Sequence, residues 1–161
     1  MHLSLRPASQ DDEEFLFQVY AGTRAEEMAV VPWNDEQKHA FLQMQFKAQT
    51  QSYQQQFPGA KHGVILHDGV AAGRLIVDRA DERILIIDIA LLPAHRNKGI
   101  GSALIDDLKT EAQETERPLQ LTVENFNSAF HLYERLGFHK IGEQGFYWLM
   151  EWEPIKRAKT A

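Results

Sequence analysis

In the run Arg96-Asn97-Lys98-Gly99-Ile100-Gly101, the spacing of one arginine and two glycines offers the most direct chemistry in this chain. The apolar run 84–92 precedes it and an amphipathic stretch follows, so the order reads strand, tight basic loop, helix. The first amides of a helix lack intrahelical partners and point at whatever anion stands above them. The glycines let the backbone approach a phosphate or take positive φ, and Arg96 and Lys98 add positive charge. Arg96, Asn97, Lys98, Gly99, Ile100, Gly101 and Ser102 thus form a candidate pyrophosphate cradle, and Leu91 and Leu92 before them are further candidate cofactor contacts. Taken alone, the glycine pair is better explained by a tight strand-to-helix connection.

A second run, Asn127-Ser128-Ala129-Phe130-His131-Leu132-Tyr133-Glu134-Arg135-Leu136-Gly137-Phe138, follows further along. Together the two resemble the GNAT superfamily of N-acetyltransferases. In that superfamily an R/Q-x-x-G-x-G/A loop binds the pyrophosphate of acetyl-coenzyme A, and Arg96, Gly99 and Gly101 match it. Pro93 stands where many members carry proline. Asn127, Tyr133, Gly137 and Phe138 correspond to an N-x-x-A-x-x-x-Y-x-x-x-G-F stretch, although Ala129 comes two residues after the asparagine. The match covers 84–138, and the N-terminal third, which shapes the acceptor site in this superfamily, matches only in the order of its elements.

The resemblance implies an α+β acyltransferase fold, with a mixed central sheet of about six to seven strands flanked by about four helices. It implies acetyl-coenzyme A as cosubstrate, contacted by the loop and by Asn127, and direct transfer of the acetyl group to a primary amine of a small molecule. Tyr133 would protonate the departing thiolate. The central strand is expected to splay from the next after Ile89-Ala90-Leu91, with the Leu91 N–H polarising the thioester carbonyl.

Each residue also has a plainer reading. Tyr133 suits a core aromatic equally well, and capping alone explains Asn127. Asp88 interrupts the apolar strand, where an unpaired carboxylate is costly; an ion pair with Arg74 or Arg79 explains it slightly better than a role as general base. Glu124, at the end of the next strand, is the other candidate base or a solvated terminus. A base is needed because an amine with a pKa near about 10 is mostly protonated at neutral pH. Ser102 lacks the G-x-S-x-G elbow of a nucleophile. Leu104 occupies the third glycine of a dinucleotide loop, and Lys98 precedes its glycine, against the P-loop order. The seven histidines form no H-x-x-x-H or H-x-H pair, so no metal is expected.

With 161 residues, 43% of them hydrophobic, the chain suits one core: a single domain over 1–153, then a basic tail, 154–161, expected to be disordered. The absence of cysteine excludes disulfides and an acyl-cysteine intermediate. A net charge of −6 argues against nucleic acid as a partner. No apolar run approaches the roughly 20 residues that span a bilayer, and no secretory leader pattern opens the chain. A cytoplasmic enzyme without a membrane partner is expected, with homodimerisation left open.

Alternation at Leu3 and Leu5, ended by Pro7, predicts a first strand. Ser9 before Asp11, Asp12 and Glu13 predicts a capped helix with Phe15, Leu16, Val19 and Tyr20 inward. Pro32-Trp33-Asn34-Asp35 breaks and recaps the chain for a glutamine-rich helix over 36–56. Asp68-Gly69 predicts a hairpin within 64–77, and the apolar strand 84–92 should lie centrally. Ile100, Ala103, Leu104, Leu108 and Ala112 mark the helix after the loop; Leu119, Leu121 and Val123 mark a strand. Ala129, Leu132, Tyr133 and Leu136 mark a short helix stopped by Gly137, before a hairpin over 138–152 turning at Gln144-Gly145.

The first two helices and their break carry Arg24, Glu26, Glu27 and Trp33. Of these, Arg24, Glu27 and Trp33 are candidate contacts to a small cationic amine. At least as good an explanation is that Trp33 staples the helix entry and the charges are solvated. A binding module without turnover and an acetyltransferase acting on a protein or peptide amine are the competing functions. The intact Tyr133 argues against the first.

Overall fold

The computed structural model describes residues 1–156; the last part of the expected tail, 157–161, lies outside the described residues. These form two compact units, 1–76 with 89–98, and 77–88 with the described residues from Gly99 on. Two long strands, β3 (Val70–Ala80) and β4 (Arg83–Leu91), run through both.

In the first unit, β1 (Leu3–Pro7) pairs antiparallel with β2 (Lys61–His67), Leu3 opposite His67 and Pro7 opposite Gly63. Asp68 and Gly69, at φ 50° and 83°, turn β2 into β3 as an Asp-Gly type I′ hairpin does. Ser9 opens a 3-10 turn, Gln10–Asp12, instead of an α-helix. Asp12 closes it, accepting from the Ser9 amide at 2.9 Å and from both Arg6 terminal nitrogens at 2.8 and 2.9 Å. The fork of Arg6 and the Ser9 amide hold the Asp12 carboxyl well below the usual carboxylate range.

α1 (Glu13–Thr23) follows and buries Phe17, Val19 and Tyr20. Phe15 and Leu16, expected inward, are half-buried, Leu16 packing against the buried cluster that includes Phe17 and Tyr20. α2 (Ala25–Ala29) buries nothing and so left no apolar stripe to read. α3 (Asp35–Gln56) begins with a capping box: Gln37 N–H donates to Asn34 Oδ1 at 2.8 Å, and Asn34 N–H to Gln37 Oε1 at 3.1 Å. Its Leu42 and Phe46 pack with Phe17 and Tyr20 into one aromatic cluster. Beyond Phe46, no residue of α3 is buried.

In the second unit, α4 (Ile100–Glu114) buries Ile100, Leu104, Ile105, Leu108 and Ala112, with Ile105 taking the place expected for Ala103. Arg79 and Glu111 form a two-pronged ion pair at 2.6 and 2.9 Å. β5 (Leu119–Glu124) pairs parallel to β4 from Ile84–Leu119 to Ile86–Leu121. It also pairs antiparallel to β7 (Tyr147–Trp152), as far as Glu124 opposite Tyr147. The β4–β5 register therefore ends at Ile86, earlier than the expected parting after 89–91. α5 (Ala129–Arg135) precedes β6 (His139–Gln144), which joins β7 with a bulge between Lys140 and Gly142. The Gln113 side chain holds the Ile155 backbone through two bonds of 2.7 and 2.8 Å.

The seven strands run in the order β1-β2-β3-β4-β5-β7-β6, with the most apolar strand, β4, in the middle as expected. The fold is α+β, and its fifth helix beyond the four expected is the short α2. No helix among the described residues is long and apolar enough to cross a membrane.

Candidate active site

In the first unit, β4 hands over to the loop under tight constraint. The Leu92 amide donates to Ala72 O at 2.8 Å, and a 3-10 turn, Pro93–His95, leads to Arg96. Gly73 of β3 faces this handover: a Cβ there would lie 2.1 Å from Ala90 O and 2.9 Å from Leu91 Cδ2. Glycine is what permits the approach. Sequence reasoning missed Gly73, although a lone glycine inside an apolar strand was the available signal.

Arg96, expected to lend its charge to a phosphate, directs two donors at its own frame. Nε donates to Leu91 O at 3.0 Å and Nη2 to Gly22 O of α1 at 3.2 Å. It braces the loop between the end of β4 and the end of α1. Asn97, at φ 60°, and Lys98 are exposed beside it. His95 contacts His67 through their Nδ1 atoms at 3.0 Å, tying the loop to the β2–β3 hairpin.

The residues expected to wall the acceptor are engaged locally. Arg24 Nη1 donates to Glu27 Oε1 at 3.0 Å, and the Arg24 guanidinium lies 5.7 Å from the Tyr20 ring centre. Trp33 is 42% exposed and sets its ring edge-on to Phe41 of α3 at 5.3 Å.

In the second unit, Gly99 caps α4 at φ 79° with no side chain serving the first amides. The Ala103 amide, bonded to Gly99 O at 3.0 Å, is the first that the helix satisfies itself. A Cβ on Gly99 or Gly101 would meet nothing within 4 Å, so there is room beside both glycines. The amides of Ile100, Gly101 and Ser102 stand at the positive end of the helix dipole.

Tyr133 of α5 is half-buried, with its ring edge-on to Phe138 at 6.3 Å. Burial, and then the negative charge of Asp88, push its hydroxyl up to about 12. The hydroxyl is therefore a proton-bearing donor at neutral pH. Arg79, offered as a partner for Asp88, is taken by Glu111 instead, because the β3–β4 turn aims it at α4. Arg74, the other arginine offered, donates to Gln49 Oε1 at 2.8 Å and makes a further interaction, as does Asp88. Glu124 is half-buried at the end of β5. Asn127 Oδ1 accepts from the Ala129 amide at 2.9 Å, so it does start α5, from one residue before the cap position held by Ser128.

The histidine spacing gave no metal pair, yet pairing of β6 with β7 brings His139, Glu151 and Glu153 ligand atoms within 4.8 Å of one another. Only strand register creates that grouping. Glu151 is already bonded there by Gln120 Nε2 at 2.9 Å.

Among curated proteins, no sequence matches this one. Solved structures do match in fold. The PaiA N-acetyltransferase of Thermoplasma acidophilum, in complex with coenzyme A, aligns with TM-score 0.70 at 18% identity, covering 95% of this chain and 99% of that one. A ribosomal-protein alanine N-acetyltransferase of Escherichia coli aligns with TM-score 0.66 at 18% identity, covering 99% of each. The model of the acetyltransferase (GNAT) family matches residues 15–138, a span that includes the basic loop, the start of α4 and Tyr133. The chain belongs to that family and is an acyltransferase.

Proposed function

We propose that this enzyme transfers an acetyl group from acetyl-coenzyme A directly to the primary amine of a small molecule. The observation that carries the reading is the start of α4, where left-handed Gly99 offers no side-chain cap to the first amides and a Cβ on Gly99 or Gly101 would meet nothing within 4 Å. That arrangement suits a pyrophosphate, with Lys98 adding charge and Arg96 holding the loop in shape. Asn127 is assigned to the cofactor as well as to its cap.

In this mechanism the unprotonated amine attacks the thioester carbonyl carbon, with the developing oxyanion held by the Leu91 N–H. The carbon–sulfur bond breaks as the amide forms, and the thiolate takes its proton from the Tyr133 hydroxyl. Asp88 or Glu124, directly or through water, takes the proton the amine gives up. With its pKa pushed up to about 12, the hydroxyl carries its proton at neutral pH, as the role requires. Nothing in the scheme calls on a metal ion. Arg24, Glu27 and Trp33 are assigned to the acceptor side.

Polyamines, amino acids, aminoglycosides and peptides, each offered with acetyl-coenzyme A under a free-thiol readout, test the acceptor. Turnover with a small amine is the expected result. Turnover confined to protein or peptide amines overturns the small-molecule assignment.

A further inference from the structure

The β6 edge of the second unit brings together ligating groups that the chain keeps apart. β5, β7 and β6 align Gln120, Glu151 and His139 in one row, since Glu151 is the register partner of both others. Directly opposed residues put their side chains on the same face, and Glu153, two residues past Glu151, falls on that face too. One ligand atom each of His139, Glu151 and Glu153 therefore lies within 4.8 Å of the others. Donors about 2.0–2.2 Å from a tetrahedral metal stand about 3.3–3.6 Å apart, so small rotations of the exposed His139 and Glu153 side chains complete the approach.

Two further observations favour a cation here. Gln120 Nε2 donates to Glu151 Oε1 at 2.9 Å, which orients that carboxylate from outside and leaves Oε2 to bind, as the outer hydrogen bonds of metal ligands do. Among the described residues, neither glutamate is ion-paired to a lysine or arginine, so two adjacent carboxylates lack a neutralising charge. The imidazole decides the class of ion. Calcium and magnesium take six or more ligands, chiefly oxygen, whereas one nitrogen and two carboxylates suit zinc with water in the fourth position. Gln120 lies four residues before Glu124 on β5, about 13 Å along an extended strand, so the grouping is separate from that candidate base.

We propose that His139, Glu151 and Glu153 bind a divalent transition-metal ion of the zinc class, which joins the edge strand β6 to the end of β7. The site stands on its own donors and does not rest on the acetyl-transfer reading.

Zn²⁺ is titrated calorimetrically into the full chain, free of any affinity tag and stripped of metal beforehand. A Kd of about 100 µM or tighter is expected. His139→Ala should weaken it at least about tenfold and Glu153→Gln at least about threefold. Both residues are exposed, and thermal melts check that the variants remain folded. His67→Ala removes the other close histidine contact, His67 to His95, and should leave the affinity within about twofold. Mg²⁺ at about 1 mM should not displace the zinc. A Kd weaker than about 100 µM, unchanged affinity in His139→Ala and Glu153→Gln, or loss of binding in His67→Ala overturns the proposal. So does ready displacement by Mg²⁺, which marks an acidic surface alone.

Discussion

Replacing Gly73 with alanine puts one methyl group against the backbone of the candidate site. Its Cβ would lie 2.1 Å from Ala90 O, 2.9 Å from Leu91 Cδ2 and 3.0 Å from Leu91 Cα. Relaxed carbon–oxygen contacts are about 3.3 Å or longer, so the Ala90 carbonyl must retreat by about 1.2 Å. The principal obstacle is backbone, which cannot escape by changing rotamer. Overpacking of this kind typically costs about 1–3 kcal/mol, and a backbone obstacle belongs at the upper end. In a protein of this size, about 3 kcal/mol lowers Tm by about 6–12 °C. The displaced peptide is the one joining Ala90 to Leu91, whose N–H is assigned to the thioester carbonyl. Losing one such donor typically lowers kcat by about 10²–10³. Thermal melts, kcat with a saturating amine and calorimetry with acetyl-coenzyme A separate the effects: Tm and kcat should fall while the cofactor Kd holds within about threefold. A variant with wild-type kcat and a Tm within about 1 °C would refute the reasoning, because the carbonyl would then move freely.

Gly99→Glu should weaken acetyl-coenzyme A binding at least tenfold, about 1.4 kcal/mol, through charge as well as left-handed strain; Gly99→Ala, read by the same calorimetry, isolates the strain. Tyr133→Phe should lower kcat by about 10²–10⁴ with little change in cofactor affinity, measured where chemistry limits the rate. Full kcat would return Tyr133 to packing alone. Because the Asp12 carboxyl is depressed in the folded state, its contribution is complete above the unfolded value near about 4 and is lost as pH falls toward the folded one. Melts of Asp12→Asn and wild type should therefore differ most at neutral pH and converge below about pH 4. A constant difference across that range would assign the effect of Asp12 to something other than ionisation.

What the sequence made legible was local. Asp68-Gly69, the Asn34 cap, the apolar run of β4 and the 3.6-residue stripe of α4 each follow from the preferences of a few consecutive residues. So does the basic loop, because positive φ at Gly99 and the free amides after it belong to one strand-to-helix connection. α2 escaped notice because it buries nothing, and on α1 Phe17 was missed although Val19 and Tyr20 are buried as read.

Contacts between distant segments were decided elsewhere. Arg79 could be read as a partner for Asp88, but packing of β3 with α4 gives it to Glu111. Arg96 could be read as a phosphate ligand, but the fold brings Leu91 O and Gly22 O within its reach. Long charged side chains have many partners of equal intrinsic worth, and only the backbone frame ranks them. The requirement for Gly73 likewise arises from Ala90, seventeen residues away in sequence; the lone glycine in an apolar strand signals a close approach without naming what approaches. Period and turn chemistry are properties of neighbouring residues and so are written in the chain; partner choice belongs to the tertiary structure, where segments far apart in sequence meet.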